Sequence, residues 1–90
     1  MKLLVSILDD RAAGRVAEAL VARRFGVTRL NTVGGFLKRG NATLLVGVED
    51  GRVDEALALM RAAYARALPV PPDTPTGPVF VLGIEQTERV

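Results

Sequence analysis

The 90-residue chain contains no cysteine, no histidine and no tryptophan. Without Cys there is no disulfide framework, no thiol nucleophile and no thiolate metal site. Without His there is no imidazole base, triad or ligand. Only carboxylates remain as metal ligands or bases, and no paired-carboxylate motif joins them. No catalytic or metal-binding residue is expected, and the chain does not read as an enzyme. No sign of charge dominates: twelve basic against ten acidic side chains give +2, too little to mark a DNA or RNA partner. Long apolar runs are missing as well. Leu3 to Leu8 briefly imitates a leader segment, but Asp9-Asp10 closes it, and nothing approaches the roughly 18 apolar residues of a membrane helix. With the lack of cysteine, this suggests a cytoplasmic protein without a membrane partner.

What is present is ordinary globular chemistry, 49% hydrophobic and 24% charged, enough for a single domain over residues 1–90. Charge is divided unevenly. Residues 1–45 hold eight basic and three acidic side chains, and residues 46–90 hold four and seven. An anion site therefore belongs in the first half.

Leu3 to Leu8 is short, apolar and bounded by acids, and it reads as a strand. Asp9 or Asp10 then caps a helix whose apolar face runs through Ala13, Val16, Ala17, Leu20 and Val21 and extends to Phe25. Gly26 follows, the residue type that a helix C-terminus places at positive φ. Val27 to Val33 reads as a second strand, residues 34–41 as a loop with glycines at both ends, and Ala42 to Val48 as a third strand. Asp50 is expected to cap a second helix, with Val53, Ala56, Leu57, Met60, Tyr64, Ala67 and Leu68 on its apolar stripe. Five prolines stiffen residues 69–78, Val79 to Ile84 is a fourth strand, and residues 85–90 form a polar tail.

The order β-α-β-β-α-β is the ferredoxin-like split pattern. It places an α+β fold on a four-stranded antiparallel sheet with two helices on one face. Such a sheet should alternate apolar with polar residues. Leu3-Leu4-Val5, Leu44-Leu45-Val46 and Val79-Phe80-Val81-Leu82 are instead apolar on both faces, and helices on one side cannot cover both. The uncovered face predicts a homo-oligomer packed through its sheets.

The segment Thr28 to Gly47 combines several recognition chemistries. Gly34-Gly35 permits a close backbone approach to a phosphate. Lys38 and Arg39 add cations, and Phe36 offers a face on which a base can stack. Asn41 and Thr28 supply donor–acceptor groups. Together these describe a nucleotide site. Turn chemistry alone also explains glycines at the ends of a β-β connection, so spacing by itself leaves both readings open.

The run T-V-G-G-F-L-K-R-G-N-A-T-L-L-V-G-V followed by E-D-G-R-V-D-E-A-L resembles the PII-like cyclic-di-AMP receptor family of bacteria. So do the opening M-K-L-L-V-S-I-L and the V-F-V-L of the last strand. The resemblance implies a ferredoxin-like homotrimer that binds cyclic di-AMP in clefts between subunits. It also implies signalling to a protein target without catalysis and without a further cofactor. By position it assigns Gly35, Phe36 and Leu37 to the wall around one adenine and its phosphate. Thr28 and Asn41 become polar contacts and Gly47 a backbone contact, while Phe80 completes the pocket from a neighbouring subunit. The chain departs from the family at Gly26, where an arginine is common and for which Arg29 or Arg24 is a candidate substitute that does not match the position. It departs again at Arg89, where some members use an amide, and in the short bridge 69–77. Those departures motivate a second reading, a PII-like sensor of ATP or another small anion. A small oligomeric ferredoxin-like enzyme ranks behind both. An RNA-binding module ranks last, because Phe25, Phe36, Tyr64 and Phe80 do not interleave with basic residues on adjacent strands.

Overall fold

The structure is a computed structural model that describes residues 1–31, 40–69, 77 and 79–84. Its elements are β1 (Lys2–Asp9), α1 (Asp10–Ala22), β2 (Gly26–Asn31), β3 (Asn41–Val48), α2 (Val53–Ala67) and β4 (Val79–Gly83), with a 3-10 turn over Asp50–Arg52 leading into α2. The sheet order is β2-β3-β1-β4, and every pairing is antiparallel. This is the ferredoxin-like α+β arrangement expected from the element order.

Period-two alternation decides which side of the sheet the helices cover. In β1, Leu4, Ser6 and Leu8 are buried, and in β3 so are Ala42, Leu44, Val46 and Val48. Ala12, Ala13, Val16 and Leu20 of α1, with Ala56, Met60 and Ala63 of α2, complete the core. Burying a leucine such as Leu20 or Leu44 stabilises the domain by about 1.5–3 kcal/mol. Val21 was expected on this apolar face, but it is 58% exposed, because the helix turns it toward solvent beside Ala22.

Both helix starts and one helix end refine the sequence expectations. Asp9 is the N-cap of α1, and its carboxylate accepts the Arg11 N–H at 2.9 Å. At the other end of α1 the left-handed position falls on Arg24 (φ 66), not Gly26. The Arg24 N–H donates to the Val21 carbonyl at 2.9 Å, and the Phe25 N–H to that of Leu20 at 3.1 Å. This Schellman closure comes two residues before the glycine because Phe25 is drawn into the core, leaving Gly26 to open β2. Asp50 does not cap α2. It starts the 3-10 turn and pairs with the Met1 ammonium at 2.9 Å, and Arg52 occupies the N-cap position without a side-chain capping bond.

The bridge 69–77 is described only at its ends. Gly77 has φ 115 and lies against β1 so closely that a Cβ there would be 2.3 Å from the Ile7 carbonyl oxygen. Only glycine fits that crossing without a backbone shift.

Candidate functional site

Strand parity assigns the candidate residues to the face of the sheet that the helices leave bare. Thr28 of β2 is opposite Leu45 of β3, Leu45 opposite Val5 of β1, and Val5 opposite Phe80 of β4. Thr28, Leu45, Val5 and Phe80 thus form one row straight across the four strands. Gly26, Gly47, Leu3 and Leu82 form the row beside it. Both chain positions at the start of the second row lack side chains, and a Cβ built on Gly26 or Gly47 meets nothing within 4 Å. A shallow notch of bare backbone therefore lies next to the Thr28 hydroxyl.

The expected site residues are gathered only in part. Thr28 and Gly47 are diagonal neighbours. Asn41 lies on the same face but at the opposite end of β3, six residues or about 20 Å from Gly47. It follows Gly40, whose carbonyl accepts the Asp10 N–H at 2.7 Å, and so marks the foot of the β2–β3 connection. Phe80 shares the Thr28 row but stands three strand spacings, about 14 Å, away. Gly35, Phe36 and Leu37 lie outside the described residues, as do Lys38, Arg39 and Arg89.

The uncovered face is apolar, as the two-faced strands predicted. Phe80 is 51% exposed and Leu82 49%. Leu30, beside Thr28 on the same face, is also exposed. Its place follows from the alternation of Val27 and Arg29 with Thr28 and Leu30, a signal present in the sequence. Among the described strand residues no basic side chain belongs to this face. Arg29 points to the helix-bearing side, where its guanidinium pairs with Asp10. It cannot stand in for an arginine beside Thr28.

Several charges elsewhere are held in local pairs. Arg11 donates to both carboxylate oxygens of Asp9, at 3.0 and 2.9 Å. These bonds, with the Arg11 backbone N–H, lower the Asp9 pKa to about 2. Arg52 donates to both oxygens of Glu55, at 3.1 and 3.0 Å, and holds the Glu55 carboxyl below its ordinary value. The Met1 ammonium does the same for Asp50. No group of three or more acidic residues among the described ones is placed to hold a metal ion.

Residues 1–78 match the protein family described as cyclic-di-AMP receptor. The chain belongs to this PII-like family. Cyclic-di-AMP receptor membership agrees with the ferredoxin-like sheet and with the motif that runs from Thr28 to Gly47. A solved protein of unknown function from Pediococcus pentosaceus is similar to the receptor chain over nearly its whole length. The two are 29% identical, their alignment covers 99% of this chain and 96% of the other, and the TM-score is 0.71. No described helix is long and apolar enough to cross a membrane.

Proposed function

We propose that the protein is a cytoplasmic, non-catalytic signal transducer that binds cyclic di-AMP in clefts between the subunits of a homotrimer. The observation that carries this reading is the cross-strand row. Thr28 and Phe80 share the uncovered face but stand about 14 Å apart at opposite sheet edges, and packing of that face against a neighbouring copy would bring a second Phe80 to the Thr28 pocket. Packing of the bare apolar face against other copies accounts for Phe80 and Leu82 at the same time. Within each cleft the backbone of Gly47 and the Thr28 hydroxyl contact one part of the ligand. Gly35, Phe36 and Leu37 wall an adenine and its phosphate, and Asn41 bonds at the far end. An elongated dinucleotide suits contacts spread over so much of β3. Binding would change the conformation of the loops around the cleft and so be read by a protein target.

One observation favours a second reading, a sensor of ATP or another small anion on the same fold. The described part of the face has no cation, and Gly26 leaves bare backbone where the family commonly has arginine. Loss of one charge-assisted phosphate contact weakens binding by roughly ten- to a hundredfold.

Isothermal titration with cyclic di-AMP, ATP and cyclic di-GMP separates the two. Submicromolar binding of cyclic di-AMP at one site per subunit is expected. Tighter binding of ATP, or no heat with cyclic di-AMP while the trimer is intact, transfers the site to the second reading.

A further inference from the structure

An open groove of about 730 Å³ lies along α1, on the helix-bearing side of the sheet. Arg11, Arg15 and Glu18 reach it from α1, where spacings of four and three residues put them on one helix face. Arg29 of β2 and Arg66 of α2 bring its arginines to four, against the two carboxylates of Asp10 and Glu18. Asp9 engages Arg11, and Asp10 engages Arg29. Arg15 and Arg66 are exposed and form no hydrogen bond or ion pair with a described residue. Arg11 and Arg15, four residues apart on the helix, also repel each other.

Gly14 is the second observation. It stands inside α1, where glycine weakens a helix relative to alanine. Nothing described in the fold requires it: the backbone is helical, and a Cβ built there meets nothing within 4 Å. It lines the groove beside Arg15. The helix thus presents bare backbone among arginines that lack a partner, which suits another polypeptide lying close against it.

We infer that this groove docks an acidic segment of the protein target. Carboxylates on the segment engage the Arg15 and Arg66 guanidinium groups, and its backbone passes over Gly14. The mixed charge favours a protein over a nucleic acid. Four arginines and two acids leave only +2, and Asp10 and Glu18 repel a continuous phosphate backbone. The groove is on the side of the sheet opposite Phe80, so subunit packing through the Phe80 face leaves it open. It also adjoins the ligand region. Asp10 donates its N–H to the Gly40 carbonyl at 2.7 Å, next to Asn41, and Arg29 follows Thr28 in β2. The inference rests on the proposed signalling to a protein target, not on which nucleotide is bound.

The probe is a fluorescein-labelled peptide of about twelve alternating Glu and Ser residues, long enough when extended to cross the groove. Anisotropy titration with the full chain at low salt should saturate with Kd of about 0.1–1 mM. Arg15→Glu and Arg66→Glu should each weaken binding by roughly tenfold. Arg61→Glu makes the same charge change on α2 outside the groove and should alter Kd by less than about twofold. Gly14→Leu fills the groove without changing charge. It should keep or raise Tm, because leucine suits a helix better, yet weaken the peptide by roughly tenfold. Circular dichroism checks that every variant folds. Equal losses in all three charge variants, or full binding to folded Gly14→Leu, overturn the inference. So does tighter, Arg15-dependent binding of a single-stranded oligonucleotide of equal charge, or no saturation at all. Cyclic di-AMP titration of the same variants should match the parent, so failure of the peptide and failure of the nucleotide are read separately.

Discussion

The guanidinium of Arg52 lies 4.0 Å from the centroid of the Phe25 ring. The same group donates to the Arg23 carbonyl at 3.0 Å and to both oxygens of Glu55. One side chain thus covers the buried aromatic at the end of α1, bonds a carbonyl at that helix C-terminus, and anchors the first turn of α2. Cation–π attraction and hydrogen bonds to a charged donor act together here. Arg52→Ala should lower Tm by on the order of 5 °C. Arg52→Lys should recover only part of the loss, because an ammonium cannot stack and fork at once. Equal Tm for the lysine variant and the parent would reduce the latch to simple charge.

Arg24 adopts φ 66 with an ordinary side chain, where L-residues other than glycine pay a steric cost. Its own side chain forms no hydrogen bond or ion pair with a described residue to offset that cost. Arg24→Gly should stabilise the domain by about 0.5–1 kcal/mol, read as a rise in the denaturation midpoint with unchanged slope. A destabilised variant would show that the Arg24 side chain contributes more than its backbone costs.

Acid sensitivity follows from Asp9, whose carboxyl is held at about 2 instead of 3.8 by its bonds to Arg11. A depressed carboxylate contributes stability that is fully present above its unfolded value and is lost as pH falls through the folded one. Asp9→Asn preserves the capping acceptor and removes the charge. The Tm gap between parent and variant should be constant from pH 7 to 5, then close between about pH 4 and 2. A gap that persists at pH 2 would assign it to capping geometry and not to the ion pair.

The fold was legible because hydrophobic period and turn residues agreed along most of the chain. Leu4, Leu8, Leu44 and Val46 announce their strands by alternation, and Val16 and Leu20 their helix by spacing. What escaped was set by tertiary competition. Gly26 looked like the helix-ending residue, but burial of Phe25 fixed the closure two residues earlier. Asp50 looked like a cap, but the Met1 ammonium lies across the sheet end and takes its carboxylate. For the candidate site, the sequence motif named residues without saying which face they share. Sheet register supplies that for Thr28, Gly47, Asn41 and Phe80. It also shows Arg29 on the wrong side, which strand parity counted from Thr28 already implied.

The row from Thr28 to Phe80 makes a prediction that a ligand titration alone does not test. If each cleft takes Thr28 from one subunit and Phe80 from the next, Thr28→Val and Phe80→Ala spoil opposite sides of the same site. Each variant trimer should bind cyclic di-AMP at least tenfold more weakly, the loss expected for a hydrogen bond or a buried aromatic contact. Refolding the two variants together in equal amounts mixes the subunits. About a quarter of the clefts then receive both intact residues, given a closed ring of head-to-tail contacts. Titration of the mixture should show that fraction of sites at parental affinity, with mass measurement confirming mixed trimers. Were both residues to act within one chain, no cleft could regain the pair, and the mixture would bind as weakly as its parts.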